Sequence, residues 1–403
     1  MNKVFEDIKV ADFTWAIAGP LITKYLADFG ATVIKVESPN HPDIVRLTAP
    51  YTGHTPSMNK SGYFALYNSN KYSIAINLSN PQGMEIVRRL IKWADVVTES
   101  FTPGVMEKFG LGYENLKEIN PGIIMCRTSI HGETGPFAKQ PGLGYQISGF
   151  LGFPLLVGWP DRSPLPMPVA YTDYVAFQFG TVALIAALDY RRRTGKGMYL
   201  DLAQVEASIH FLSPVILDYA VNSRLPERKG NSSSHEVPHG VYRCQGDDEW
   251  CAISISKDRQ WQAFVKAMGN PSWAAESKFG DFLSRKQNEE ALNKLIEEWT
   301  VIFTPAELMA ELQSVGVPCS VVAKGEWLIN DPHLRERGYY RELEHPEMGN
   351  ALASSQPFKM SKTPAELVMP APCLGEHCEF VCKEILGMSD DEFVEYLASG
   401  CFE

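Results

Sequence analysis

Strand-like and helix-like segments alternate over the first 130 residues, and this alternation most constrains the fold. Short apolar runs predict five strands, at 8–14, 31–37, 72–78, 94–99 and 122–128. Helix-like stretches lie between them, with amphipathic patterns at 81–93 and 113–119. Because a strand followed by a helix returns to the sheet in the same direction, such strands form a parallel sheet. We therefore predict an α/β protein with a Rossmann-like sheet and binding sites at the carboxyl ends of its strands.

The composition of the chain changes three times after the sheet region. Residues 213–235 are polar and linker-like, 236–330 combine a hairpin with several helices, and 331–403 are loop-rich until two final helices. We predict a large domain over 1–212, a linker over 213–235 and a smaller α+β domain over 236–330. Residues 331–403 are expected to form a second linker that returns to the large domain.

Charge and motif content exclude several classes of protein. A net charge of −11 argues against a general nucleic-acid or anionic-membrane surface. The N-terminus lacks a signal-peptide core and no apolar run approaches 18 residues, so a cytoplasmic protein is expected. The eight cysteines include no CxxC pair, and we predict no metal site. Neither a dinucleotide nor a P-loop fingerprint is present.

An aspartate stands at the start of a long buried helix in the predicted structure. Asp173 lies just before an apolar stretch over 177–188, which is followed by three arginines and Gly195. This pattern predicts a helix with Thr172 or Asp173 at its N-cap. The free amides and the dipole of the first turn favour an ionised carboxylate, even one that is partly buried. Asp173 is therefore either a helix cap or a carboxylate nucleophile.

Eight short motifs follow one another in order along nearly the whole chain. They are Ala18-Gly-Pro, Ala31-Thr-Val-Ile-Lys-Val-Glu, Asn70-Lys-x-Ser, Ala94-Asp-Val-Val-Thr-Glu-Ser-Phe-x-Pro-Gly, Ala186-Ala-Leu with Arg193-Thr-Gly-Lys-Gly, Asp331-Pro-His-Leu-x-x-Arg-Gly, His345-Pro-Glu-x-Gly and Pro370-Ala-Pro-x-Leu-Gly-Glu-His. Each motif alone is weak. Together they resemble the class III CoA-transferases, the group of formyl-CoA transferase and carnitine CoA-transferase.

The resemblance implies a nucleophile and a coenzyme A site. The family's nucleophilic aspartate matches Asp173, and coenzyme A binds as the acyl-CoA substrate. Positions that match the family's CoA cleft are Trp15, Ala16, Ile17, Ala18, Lys71, Ser100, Phe101, Lys108 and Lys139. An arginine found after the second strand in some members is replaced by Ser38, so either Arg46 supplies that charge for the ribose phosphate or the contact is absent.

The acceptor acid is indicated by residues that precede Asp173. Tyr145 and Gln146 stand where relatives often carry a tyrosine and an acidic residue, and the neutral amide of Gln146 would not repel a second carboxylate. The segment 149–168 is apolar and aromatic, with Arg162 embedded, which suits an aryl-substituted carboxylate or dicarboxylate. Its motifs resemble the succinyl-CoA:benzylsuccinate branch. The same segment also fits a lid packed at a dimer interface.

The resemblance further implies a mechanism and an assembly. The donor is an acyl-CoA, and we expect it to be succinyl-CoA. CoA is expected to move from this donor to a small organic acid through mixed-anhydride and aspartyl-CoA thioester intermediates. Backbone amides near Asn231 or Gly240 are candidate oxyanion donors. Class III enzymes are interlocked dimers in which each chain forms a ring threaded by its partner.

Carnitine-like and 2-hydroxy-acid transferases stay open as alternatives for the acceptor, and two alternatives stay open for the activity and the assembly. One is an α-methylacyl-CoA racemase, in which His131 would be the acid/base partner of Asp173. The other is a subunit of a heteromeric CoA-transferase, so that the partner is either a second copy or a related chain.

Overall fold

A computed structural model describes residues 3–403 as two compact units. The larger unit contains the described residues up to Phe153, together with Pro166–Leu225 and Pro332–Glu403. The smaller unit contains Pro154–Leu165 and Pro226–Asp331. The chain therefore leaves the larger unit twice and returns to it twice.

A six-stranded parallel sheet forms the centre of the larger unit. Its strands are β1 (Lys9–Phe13), β2 (Thr32–Glu37), β3 (Tyr72–Ala75), β4 (Val96–Glu99), β5 (Ile124–Ser129) and β6 (Met198–Ala203). The strand order is β3-β2-β1-β4-β5-β6, with every neighbouring pair parallel. This order confirms the predicted Rossmann-like sheet. The order reverses between β1 and β4, which is where such sheets form a binding crevice.

Ten helices lie within residues 3–225 of the described chain. They are α1 (Ala18–Asp28), α2 (Gly62–Tyr67), α3 (Pro81–Trp93), α4 (Val105–Lys108), α5 (Tyr113–Ile119), α6 (Gly144–Phe150), α7 (Phe153–Leu156), α8 (Tyr171–Thr194), α9 (Gln204–Ile209) and α10 (Ser213–Asn222). Short 3-10 turns lie at Ile44–Leu47, Thr52–His54 and His210–Leu212. Helix α3 begins after Asn80, whose side chain accepts from two backbone amides, and it has Pro81 in its first turn.

Helices α1 and α8 lie against each other on one face of the sheet. Gly180 permits this approach, because a Cβ atom there would lie 2.4 Å from Cδ1 of Ile22 in α1 and 2.9 Å from Cδ2 of Leu202 in β6. Phe177, Leu184 and Leu188 of α8 join the same buried cluster. The close packing fixes the N-terminus of α8 relative to the N-terminus of α1.

The smaller unit is an α+β fold, as predicted. Its antiparallel sheet has the order β7 (His239–Arg243), β8 (Trp250–Ser254) and β9 (Cys319–Val321). Its helices are α11 (Asp258–Ala267), α12 (Phe282–Gln287), α13 (Glu289–Thr300), α14 (Pro305–Ser314) and α15 (Gly325–Asn330), with 3-10 turns at Ser272–Ala275 and Ser277–Phe279. Apolar side chains of the sheet and helices, among them Phe264, Phe279 and Leu292, form its core.

The last part of the chain completes the larger unit. It contains α16 (Pro332–Glu336), the antiparallel hairpin β10 (Tyr340–His345) and β11 (Gly349–Ser354), α17 (Cys378–Phe380), a π-helical turn at Val381–Ile385, and α18 (Asp390–Ala398). Val381 and Phe393 pack into the core on the other face of the sheet.

Three elements differ from the sequence predictions. Strand β6 was not predicted, and the linker expected at 213–235 contains helix α10. The loop-rich region expected after residue 331 contains the hairpin of β10 and β11. The domain boundaries predicted at 212, 235 and 330 stay predictions.

Helix α8 is also the one candidate membrane span among residues 3–403. By length and composition it could cross a membrane, but 56% of its apolar window is buried inside the protein. A core helix of an enzyme meets the same criterion, so this is weak evidence for a membrane location.

Candidate active site

The crevice between β1 and β4 brings together several of the predicted CoA-binding residues. The backbone N–H of Trp15 donates to Oγ of Ser100 over 2.8 Å, and the rings of Trp15 and Phe101 meet edge to face with centroids 5.2 Å apart. Ala16 has a positive φ of 65° and its N–H donates to Oδ1 of Asp43 over 2.9 Å. These contacts hold the loop after β1 in a fixed shape. The partly exposed ring of Trp15 is available for stacking on a flat ligand ring.

Glu99 holds the turn after β4. Its Oε2 atom accepts from the backbone N–H of Phe101 over 2.7 Å, and its other oxygen pairs with Arg127. Burial raises the pKa of Glu99 to about 7, against the opposing effect of Arg127. The turn that carries Ser100 and Phe101 is therefore tied to a buried ion pair.

Asp173 lies where the N-termini of α1 and α8 meet. The backbone N–H of Ala18, the first residue of α1, and the side chain of Gln204 act as hydrogen-bond donors to its carboxylate. The side chain is 7% exposed. Burial raises the pKa of Asp173 to about 6, although the hydrogen bonds act in the opposite direction. At neutral pH the carboxylate is mostly ionised, and below about pH 6 it is mostly protonated.

The cap of α8 is not the one predicted. The N-cap residue is Ala170, which makes no side-chain capping hydrogen bond, and Asp173 is the third residue of the helix. The prediction that Thr172 or Asp173 caps α8 is therefore wrong, because the helix begins at Tyr171. In its actual place the carboxylate still meets the free amides and the positive dipole end of the first turn.

Gly144 makes room for this carboxylate. A Cβ atom at Gly144 would lie 2.2 Å from Oδ2 of Asp173 and 2.7 Å from the Cβ atom of Ala170. The N-terminus of α6 thus lies directly against the catalytic candidate. A side chain larger than hydrogen at this position would force the carboxylate to move.

Lys71 and Arg46 do not fit the expected contacts with coenzyme A. The Nζ atom of Lys71 is fully buried and donates to Asp12, Pro20 and Asn68 over 2.9–3.0 Å. Burial lowers the pKa of Lys71 to about 8, opposed by Asp12. All three ammonium protons are thus used inside the protein.

The guanidinium of Arg46, like the ammonium group of Lys71, bonds to partners inside the protein. It donates two hydrogen bonds to the carboxylate of Glu37, over 2.9 and 2.8 Å, and further ones to acceptors of Met58, Asn59 and Pro372. The residue is 0% exposed. The prediction that it replaces the arginine missing at Ser38 is therefore not supported.

The other predicted contacts of the larger unit lie at its surface. Lys108 ends α4 and Lys139 lies in the loop before α6, and both side chains are exposed. The hydroxyl of Tyr145 donates to the carbonyl of Pro168 over 2.9 Å, and Oε1 of Gln146 accepts from the backbone N–H of Leu143 over 2.8 Å. Both residues belong to α6, which also carries Gly144. The structure thus places them on the helix that contacts Asp173.

Arg162 and the candidate oxyanion loop belong to the smaller unit. The side chain of Arg162 is exposed, and its carbonyl accepts from Nη2 of Arg228 over 2.8 Å. Asn231 and Gly240 line one cleft of about 600 Å³, together with His239, whose Nδ1 atom is 2.7 Å from Glu236. The two predicted oxyanion positions therefore share a cavity.

His131 lies among aromatic rings, and the cysteines are unpaired. The ring of His131 packs against Phe137 and Phe150, with centroids 5.8 and 5.5 Å away. In the described part of the chain no group of three or more potential metal ligands occurs. All eight cysteines are free thiols, most of them buried.

Gln204 is a site residue that the sequence interpretation missed. It is the first residue of α9, directly after β6, and its side chain bonds to Asp173. The alternation in Met198–Ala203 is the signal that could have revealed it, because a sixth parallel strand would put the next residue at the same edge as Trp15 and Ser100.

The fold and sequence of the chain match known CoA-transferases. Residues 5–378 match the family model of CoA-transferase family III. Over 97% of this chain and 96% of the relative, the sequence is 30% identical to succinyl-CoA–D-citramalate CoA-transferase of Chloroflexus aurantiacus. The β subunit of succinyl-CoA–L-malate CoA-transferase from the same organism is 31% identical, over 96% of this chain and 95% of the subunit.

A solved structure agrees with these matches. The crystal structure of a CAIB/BAIF family protein from Brucella suis superposes with a TM-score of 0.88 at 31% identity, covering 96% of this chain and all of that one. The protein is thus a CoA-transferase. More narrowly, the chain belongs to CoA-transferase family III, which confirms the resemblance drawn from the eight motifs.

Proposed function

We propose that the protein transfers CoA from succinyl-CoA to a dicarboxylic acid, with Asp173 as the nucleophile. The observation that carries the proposal is a buried carboxylate at the point where the N-termini of two helices meet. Relatives named for succinyl-CoA, citramalate and malate support the donor and the dicarboxylic class of the acceptor. Benzylsuccinate is the particular acceptor that the 149–168 segment favours.

The reaction proceeds by two exchanges on Asp173. The carboxylate attacks the thioester carbon of succinyl-CoA and displaces the CoA thiolate, which leaves a mixed anhydride of succinate and Asp173. The thiolate then attacks the aspartyl carbon, which releases succinate and forms an aspartyl-CoA thioester. The acceptor carboxylate displaces CoA in the same way, and the thiolate finally attacks the acceptor carbonyl and restores Asp173. Covalent catalysis replaces one difficult exchange by several easier ones.

The loop between β1 and α1 and the turn after β4 are the proposed CoA site. Trp15 and Phe101 supply aromatic surface, and Ser100 and the 16–18 backbone shape the crevice. Lys108 and Lys139 remain the proposed phosphate contacts, because both are exposed cations of the same unit. Lys71 and Arg46 are proposed to support the loops of the crevice from inside the protein.

Assembly and location are proposed from the family and the sequence. We propose an interlocked dimer of two copies of this chain. The alternative is a dimer with a related chain, because one relative is the β subunit of succinyl-CoA–L-malate CoA-transferase. The proposed location is the cytoplasm.

A transfer assay tests the proposed reaction. Purified protein is incubated with succinyl-CoA and a panel of mono- and dicarboxylic acids that includes citramalate, malate, glutarate and benzylsuccinate, and the CoA esters are identified by mass spectrometry. We expect a new CoA ester of a dicarboxylic acid and free succinate. Deuterium exchange at the α-carbon of an acyl-CoA without any CoA exchange would instead show a racemase.

Arg162 is proposed to bind the distal carboxylate of the acceptor. Replacing it with leucine is expected to raise the KM for a dicarboxylic acceptor by roughly 10-fold or more, since a charge-assisted hydrogen bond contributes about 1.5–3 kcal/mol. The KM for a monocarboxylic acceptor is expected to change little. Steady-state kinetics with both acceptors make the comparison, with the exposed Arg259 of the same unit changed to leucine as the control. Equal effects on the two acceptors would remove Arg162 from the acceptor site.

A further inference from the structure

Two phenols lie beside Asp173 and have no part in the scheme above. Tyr174 follows Asp173 in α8, and Tyr67 is the last residue of α2. Their hydroxyls share one hydrogen bond, and their ring centroids are 6.3 Å apart. Burial raises the pKa of both phenols, and the charge of Asp173 raises it further. Both hydroxyls therefore keep their protons at neutral pH and remain hydrogen-bond donors.

The difference in burial sets the direction of the shared hydrogen bond. Tyr67 is 2% exposed, and a buried hydroxyl whose proton has no acceptor destabilises the folded protein. Tyr174 is only partly buried, so its proton can be given to water or to a ligand. The arrangement of lowest free energy therefore has Tyr67 donating to Oη of Tyr174. The proton of Tyr174 is then left for water or for a ligand bound near Asp173.

We propose that the hydroxyl of Tyr174 donates a hydrogen bond to the thioester carbonyl oxygen of the acyl-CoA while Asp173 attacks the carbonyl carbon. This inference rests on the proposed function. An oxygen lone pair of Asp173 forms the new C–O bond, and the carbonyl π electrons move to the oxygen that Tyr174 contacts. The oxyanion then re-forms the C=O bond as the C–S bond breaks and the CoA thiolate leaves with that electron pair. Tyr174 keeps its proton throughout.

Tyr67 acts on this step through Tyr174. A donor that itself accepts a hydrogen bond is polarised, so the buried Tyr67 strengthens the bond that Tyr174 makes to the oxyanion. It also fixes the phenol ring of Tyr174 by edge-to-face packing. Tyr174 is thus a catalytic residue in this proposal, and Tyr67 is a positioning residue.

Phenylalanine variants test the two roles. Tyr174→Phe is expected to lower kcat by roughly 100-fold, the usual loss for one oxyanion donor, with the KM for succinyl-CoA changed less than about 3-fold. Tyr67→Phe is expected to lower kcat by roughly 3- to 10-fold, because the donor itself remains. Tyr190→Phe is the matched control: it lies in the same helix, about 24 Å from Tyr174 at the rise of an α-helix, and should retain wild-type kinetics.

A thioether analogue of succinyl-CoA separates catalysis from binding, because it lacks the carbonyl oxygen. Its Kd should be the same for the wild type and for Tyr174→Phe. A Kd that rises in proportion to the loss of kcat would overturn the proposal, since the hydroxyl would then serve ground-state binding or packing. A wild-type kcat in Tyr174→Phe would overturn it as well.

Failure of the proposed function gives a different result. A wild-type protein that transfers no CoA in the assay above refutes the proposed reaction itself, whereas an active wild type with an unimpaired Tyr174→Phe refutes only the role of the phenol. If Tyr174→Phe does not fold, as judged by circular dichroism, Tyr67→Phe decides, and a loss of less than about 2-fold in its kcat contradicts the proposal.

Discussion

Asp173→Asn is expected to abolish CoA transfer and, at the same time, to stabilise the folded protein at alkaline pH. The amide cannot form the anhydride or the thioester, so kcat should fall by at least about 10⁴-fold. The hydrogen bond from the backbone of Ala18 can still be accepted by the amide oxygen. Transfer assays and urea unfolding at pH 8 and pH 5 measure the two effects.

The stability effect follows from the raised pKa of Asp173. An ordinary aspartate has a pKa of 3.8, and burial brings that of Asp173 to about 6 in the folded protein. The folded state therefore favours the protonated form, and ionisation above pH 6 costs it about 3 kcal/mol of stability. This cost declines as the pH falls through 6 and disappears below about 4. Asparagine is neutral, so its advantage of about 2–3 kcal/mol at pH 8 should shrink by pH 5.

The same raised pKa predicts how activity depends on pH. The nucleophile must be ionised in the free enzyme, so kcat/KM is expected to fall to half near pH 6 and about tenfold for each further unit below it. Asp189→Asn is the matched control, because Asp189 lies in the same helix, is 44% exposed and pairs with Arg192 and Arg193. Substantial activity in Asp173→Asn would contradict the assignment of the nucleophile, whereas no gain in stability at pH 8 would contradict the raised pKa of Asp173.

Much of the fold could be predicted because buried parallel strands have a simple pattern. Their apolar runs appear directly in the sequence, and the helix Pro81–Trp93 shows both an asparagine cap and a proline in its first turn. Strand β6 was missed because it follows a glycine-rich turn and contains Asp201, and because its pairing with β5 joins residues about 70 positions apart. The pattern of a short segment cannot reveal such a partner.

The site could be predicted only in part, for a related reason. Asp173 was identified because the motifs around it match a family, whereas Lys71 and Arg46 were assigned to the ligand because the sequence shows their charge but not their burial. Their partners, Asp12 and Glu37, lie at the ends of other strands. Paired and buried, these two cations bond to groups of the loops near the crevice and are not exposed to a phosphate in this structure.

Gly144→Ala is expected to lower kcat/KM by at least about 100-fold without changing any group that takes part in the chemistry. The added methyl group would lie 2.2 Å from Oδ2 of Asp173, far inside contact distance, so either the carboxylate or the N-terminus of α6 must move by about 1 Å. Such a displacement also weakens the hydrogen bond from Ala18.

Kinetics with succinyl-CoA and thermal unfolding measure the outcome. Gly325→Ala is the control: this glycine begins α15, its added Cβ atom would meet nothing within 4 Å, and the change should leave the kinetics unchanged. Wild-type activity in Gly144→Ala would mean that the reacting carboxylate does not occupy the place against α6 from which the mechanism is derived.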